Sequence, residues 1–175
     1  MSEDSHAHEL PEHDALLRVD KDKALADAIG SLFINFALFN SHLNSALTAQ
    51  LKLTLEQARA LVLPLQPRPK IEMISWYAKQ HWTKEAFEEV KYICNLARAL
   101  ADFRNDIAHC DMVLPDPSGE VHLASYTGSN RFDPKLRPMP VNDVAHNAMH
   151  ALHLAREFRS LAIAISEGRH FTARR

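Results

Sequence analysis

The sequence predicts an all-α protein, an up-and-down bundle of four to five helices with an irregular or hairpin insertion before the last one. Three observations carry this. Only four of the 175 residues are glycine, and Ala and Leu, both good helix formers, are abundant. Apolar residues return every three to four positions over long stretches, the period of a helix with one buried face. Five prolines and two of the glycines fall between Cys110 and Pro140, which confines the irregular backbone to one place.

The first long pattern runs from Lys21 to about Leu51. Leu25, Ile29, Leu32, Phe33, Phe36, Leu43 and Leu47 recur at helical spacing, and Asp20 or Asp22 can cap the start. Gly30 weakens this helix by roughly 1 kcal/mol, which suggests close packing against a neighbour. Thr54 with Gln57 makes a capping-box pattern that opens a short helix to about Leu63. Pro64, Pro67 and Pro69 then break the chain. A third helix is expected from about Lys70 to Gln80. Thr83 can cap a fourth that ends near His109. DPSG at 116–119 is a turn signal, so DMVL and the strand-like EVHLASY at 120–126 form a candidate hairpin within the insertion 110–141. The last helix begins near Asn142 or Asp143 and runs to Gly168, a plausible residue to end it.

Charge and composition bound the rest. Residues 1–20 carry six acids against one base, and residues 129–175 carry eight bases against four acids. The first twenty residues therefore read as a disordered acidic tail, and 21–170 as a single helical domain. A net charge of −2 gives no bulk basicity to advertise nucleic acid. Two cysteines, Cys94 and Cys110, make no disulfide framework and read as free thiols of a reducing compartment. The N-terminus lacks a basic region followed by an apolar run, and no uninterrupted apolar window is long enough to span a bilayer. The expectation is a cytoplasmic chain with no membrane partner.

One residue breaks the pattern. Val90, Ile93, Ala97, Leu100, Ile107 and Ala108 share a face of the fourth helix, and Arg104 projects from its centre. An unpaired charge there costs several kcal/mol, so an internal carboxylate, a partner chain or a phosphate must meet it. Asp27 and Glu72 are the internal candidates. His109, at the end of the same helix, carries an imidazole, the side-chain type most often used as general acid or base. Asn105 lies one turn before it on the same face.

The segment FRNDIAHC, residues 103–110, resembles the Arg-x4-His motif of the HEPN superfamily, many of whose members are ribonucleases. Arg104 is followed by the polar Asn105, His109 comes after four intervening residues, and the motif closes a long helix. The motif-level likeness covers residues 98–112, and the architectural likeness about 22–168. The resemblance implies a metal-independent endoribonuclease acting as a homodimer whose two motifs face one cleft. RNA would be cut by its own 2′-hydroxyl, leaving a cyclic phosphate and a 5′-hydroxyl. His109 would act as general base or acid, Arg104 would hold the scissile phosphate, and Asn105 would orient the imidazole or bind phosphate. Asp27, Glu72 or Asp102 would be the acid that some members add. The resemblance further implies a toxin or antiphage defence role, restrained by an antitoxin or regulatory protein. The alternative is a non-catalytic helical module that binds a partner or a nucleotide.

No phosphate-cradling glycine loop, nucleophile elbow or Cys/His zinc spacing occurs, so no cofactor is expected. His146, His150 and His153 share a face of the last helix at i, i+4 and i+7, a spacing that can present imidazoles to a metal. With no thiolate or well-placed acid to complete the set, a solvated polar face is the expected reading, and no metal ligand is assigned. Arg131, Lys135 and Arg137 of the insertion are candidates for RNA backbone contact. Trp76, Tyr77 and Trp82 are expected to pack the core and hinge.

Overall fold

A computed structural model of the chain describes residues 12–109, 111–113, 121–125 and 135–169. Five helices and a small sheet make up the fold: α1 (Glu12–Gln50), α2 (Leu55–Leu61), α3 (Pro67–His81), α4 (Lys84–His109), β1 (Asp111–Val113), β2 (His122–Ser125), β3 (Lys135–Pro138) and α5 (Val141–Ser166). The chain is an all-α bundle with its insertion where the sequence places it.

Helix α1 starts at Glu12, so part of the acidic segment expected to be disordered is helical. The physical reason is in the sequence: no proline or glycine lies between residues 12 and 29, and nothing stops the helix from extending backward. Residues 1–11 lie outside the described residues. The capping box opens α2 as expected, with Thr54 Oγ1 accepting from Gln57 N–H at 3.2 Å and Gln57 Oε1 accepting from Thr54 N–H at 2.8 Å. Helix α3 begins three residues earlier than expected. Pro67 and Pro69 sit in its first turn, where the backbone N–H groups have no intrahelical partner and proline costs nothing. Thr83 Oγ1 accepts from Ala86 N–H at 3.2 Å and caps α4.

The far ends close in two ways. Helix α5 ends in a Schellman motif with Gly168 at φ +66°, its N–H donating to Ile165 O and the N–H of Arg169 to Ala164 O. The same hydrogen-bond pattern ends α1, where Lys52 N–H donates to Ala49 O and Leu53 N–H to Thr48 O. Lys52, not glycine, occupies the left-handed position at φ 53°.

The core is one cluster built on the inner row of α1. Leu32, Phe39, Leu43 and Leu47 of that row are fully buried, against Ile71 and Ile74 of α3, Cys94 and Ala97 of α4, and Ala151 and Phe158 of α5. Phe39 meets Phe36 and Phe158 edge-on, with ring centroids 5.4 and 5.5 Å apart, an arrangement favoured by the ring quadrupoles. Asn35 Nδ2 donates to Ala148 O at 2.9 Å across the α1–α5 contact. Lys70 is fully buried with its amine 3.1 Å from Asn40 Oδ1, and burial pushes its pKa below the ordinary lysine value. Gly30 differs from expectation: a Cβ there would have nothing within 4 Å, so no neighbour among the described residues requires the glycine.

In the insertion, β1 pairs antiparallel with β2, Met112 opposite Leu123, which is the expected hairpin. The sequence reading did not include β3, which pairs with the other edge of β2, Leu123 opposite Arg137. Pro138 lies within it, as only an edge strand allows. Leu123 and Ala124 are buried and seat the sheet against the bundle. Replacing Lys52 by glycine removes the left-handed strain, and we expect Lys52→Gly to raise stability by about 0.5–1 kcal/mol in urea unfolding. A loss would show that the lysine side chain holds this corner.

Candidate functional site

Helix α4 presents the motif at its last two turns. Val90, Cys94, Ala97, Leu100, Ala101 and Ile107 form its buried row, and Arg104 projects from the middle of that row, half-buried. Ala108 is exposed, because the helix leaves the bundle at its end.

Neither expected carboxylate meets Arg104. Asp27 is 2.8 Å from Lys23 Nζ. Glu72 takes two hydrogen bonds from Arg98, from Nε at 2.7 Å and from Nη2 at 3.1 Å, which hold its carboxyl below the usual range. Asp102, the third acid considered, pairs with Arg68 at 3.2 Å. Among the described residues Arg104 makes no ion pair. Its guanidinium lies instead over the rings of Phe33 and Phe36 on α1, 5.1 and 5.5 Å from their centroids. Flat faces of π-electron density stand where an anion was expected. The Nε atom is buried with no hydrogen-bond partner.

One terminal nitrogen does find a partner on the same helix. Arg104 Nη1 donates to Asn105 Oδ1 at 3.3 Å. On an ideal helix Arg104 is about 140° from His109 but Asn105 is only about 40° from it. Bending toward Asn105 therefore carries the guanidinium around the helix toward the imidazole's side. Asp106 flanks His109 on the other side and pairs with Arg137 of β3 at 3.0 Å. The structure thus brings Arg104 and Asn105 together and places a second guanidinium beside the helix end. His109 is exposed and makes no hydrogen bond or ion pair among the described residues. Of the insertion's basic residues, Arg131 and the side chain of Lys135 lie outside what is described. Arg137 has its place because of β3, which short length and flanking prolines hid in the sequence.

Other candidates sort themselves by geometry. The Cys94 thiol is buried and pushed up to about 12 by that burial, so it is an inert core group. His146 and His150 stack with ring centroids 4.1 Å apart. Partial burial first, then the neighbouring His146 and His153, lower the pKa of His150. No group of three or more His, Cys, Asp or Glu among the described residues is placed to hold a metal ion. Tyr77 stacks on His81 and Trp82 is buried, but Trp76 is 64% exposed, a correction to its expected place in the core. It lines a shallow apolar groove with Leu51, Met73 and Tyr77. The outward position of Trp76 at i+2 from the buried Ile74 carries the signal that was missed.

Compared with known proteins, the chain matches no family model, no curated protein and no solved structure. The site therefore rests on its own chemistry. Losing Arg104 removes two cation–π contacts of about 0.5–1 kcal/mol each but also a buried unpaired N–H costing about 1–3 kcal/mol. We expect Arg104→Met to change stability by less than about 1 kcal/mol in urea unfolding. A loss above about 3 kcal/mol would make this arginine a structural residue.

Proposed function

We propose that this chain is a metal-independent endoribonuclease working as a homodimer, with Arg104, Asn105 and His109 at a cleft shared by two copies. The observation that carries the reading is the state of Arg104. Its charge is held in the fold without a carboxylate to neutralise it, and one of its donors is turned toward the face of His109. A guanidinium kept that way retains its attraction for phosphate oxygens, which its planar fork matches.

The chemistry follows from the side chains. A neutral His109 imidazole accepts the proton of an RNA 2′-hydroxyl as that oxygen attacks the adjacent phosphorus. The bond from phosphorus to the 5′-oxygen breaks, and the leaving oxygen takes a proton from a protonated imidazole. The products are a 2′,3′-cyclic phosphate and a 5′-hydroxyl. The two proton transfers need one neutral and one protonated histidine, and two copies of the chain supply both. Arg104 stabilises the charge gathering on the phosphate oxygens, and Asn105 steers that guanidinium. A role as a toxin or antiphage effector, restrained by an antitoxin or other regulatory protein, rests on the likeness of RNDIAH to the HEPN motif alone.

The second reading is a non-catalytic helical module that binds a partner or a nucleotide. The observation favouring it is that His109 has no hydrogen bond among the described residues to fix its tautomer.

Incubating the protein with a labelled structured RNA in EDTA separates the two. The ribonuclease reading expects cyclic-phosphate ends, and a loss of about 10²–10⁴-fold in rate for His109→Ala. That variant should keep its stability to within about 1 kcal/mol, since an exposed imidazole at a helix end contributes only through the dipole. No cleavage by either protein supports the binding module. Equal cleavage by both places the active site elsewhere.

A further inference from the structure

Helix α1 carries no Asp, Glu, Lys or Arg from Ala28 to its end at Gln50, although much of that stretch faces outward. Ile34 is 71% exposed, Leu38 is exposed beside it, and Gly30, Ala37, Ser41 and Ser45 complete the outer strip. The segment Lys23–Gln50 is long and apolar enough, by length and composition, to cross a membrane, yet only 22% of the most apolar window is buried. A helix whose solvent face lacks charge is a helix awaiting a partner.

We propose that the partner is a second copy of this chain, packed antiparallel along α1 with the two-fold axis beside Ile34. The strip is self-complementary about that residue. Gly30 lies one turn before Ile34 and Leu38 one turn after it, so antiparallel pairing sets the Leu38 knob of each chain against the Gly30 hole of the other. The open space around a Cβ at Gly30 is the room that knob needs. It also gives this otherwise helix-weakening glycine a reason to be there. Further out, the same register sets the ion-paired Lys23 and Asp27 opposite Ser45 and Ser41. The result is an apolar centre with a polar rim.

The length suits a real interface. Paired this way, the strip from Lys23 to Ser45 runs beside the other copy, and the exposed Leu55 and Leu63, which share a groove with Ser41 and Ser45, lie next to it. Those 23 residues of helix span about 34 Å, and at a width of about 10–12 Å they cover roughly 350–400 Å² per chain. These leucines bring this toward the ~800 Å² per partner of a standard interface. Antiparallel helix dipoles add to the preference.

The orientation has a consequence at the candidate site. Phe33, which supports Arg104, flanks the outer strip on the α4 side, next to Ile34. A two-fold axis perpendicular to two antiparallel helices keeps both α4 helices on the same side of the pair, whereas parallel pairing would put them on opposite sides. Both Arg104 side chains then border one cleft. This last step rests on the ribonuclease reading; the pairing itself does not.

Sedimentation of the full chain at high micromolar concentration tests the pairing. The wild type is expected at twice the mass of one 19.8 kDa chain, and Ile34→Glu and Gly30→Leu at the mass of one, with unchanged helical circular dichroism. Ile34→Cys should oxidise to a covalent dimer, because the two-fold brings residue 34 of each copy together. Met149→Cys, equally exposed at 71% on α5, should not. A monomeric wild type, a dimeric Ile34→Glu, or equal cross-linking at both positions overturns the proposal. A dimer of this kind that cuts no RNA overturns the ribonuclease reading alone, while RNA cleavage by monomeric Ile34→Glu overturns the shared cleft.

Discussion

Phe39 lies fully buried, its ring edge-on both to Phe36 of the same helix and to Phe158 of α5, and the second contact joins α1 to α5 at the centre of the core. Leu32, Leu43 and Leu47 continue the same row. Helices α3 and α4 take their positions from what that row leaves uncovered. Each fully buried Leu or Phe contributes about 1.5–3 kcal/mol by leaving water, and the row concentrates many of them on one helix. The other helices are shorter, and their buried rows pack against it, the packing that supplies most of a helix's stability in a folded chain. Even the sheet depends on this core, since Leu123 of its central strand is buried in it.

The same packing decides the electrostatics. Arg104 emerges from the buried row of α4 where α1 offers Phe33 and Phe36, and a guanidinium can sit near aromatic rings while still hydrogen-bonding through its edge. The acids around it are sorted away by geometry. Glu72 is clamped bidentately by Arg98, Asp102 by Arg68, and Asp106 by Arg137. These exposed pairs stabilise little. Their effect is to cancel nearby negative charge and leave the arginine's own charge uncancelled. The proposed anion site would draw on this uncancelled charge.

How much of this was legible in the sequence depends on the range of the interaction concerned. Capping is local, so Thr54 with Gln57, Thr83 and Gly168 gave α2, α4 and the end of α5 directly. The anomaly of Arg104 was also legible, because helical periodicity alone puts it among Ala97, Leu100 and Ile107. What met it was not legible. Asp27 and Glu72 have the right charge, but only the assembled bundle shows that other bases take them and that aromatic rings face the guanidinium. Pro67 and Pro69 were read as breakers because the first-turn exemption depends on where the helix starts. Strand β3 was hidden because Lys135–Pro138 is short, flanked by prolines and ordered only by pairing with β2. Gly30 led to an expectation of close packing that the described residues do not show, because a glycine's local cost says nothing about what faces it.

That mismatch at Gly30 joins the two unusual features of the chain. A soluble helix ordinarily gives its outer face to Lys and Glu, which raise helix propensity and keep it from sticking. Helix α1 gives up both along its central and C-terminal stretch and accepts a glycine there as well. Beside that surface, Phe33 and Phe36 form the bed for Arg104. On a strip desolvated in the proposed pair, an unpaired charge would cost several kcal/mol. An uncharged outer face and an unneutralised guanidinium beside it are the two features that the proposed pairing of α1 with a second copy would call for, with both arginines facing solvent on a common side.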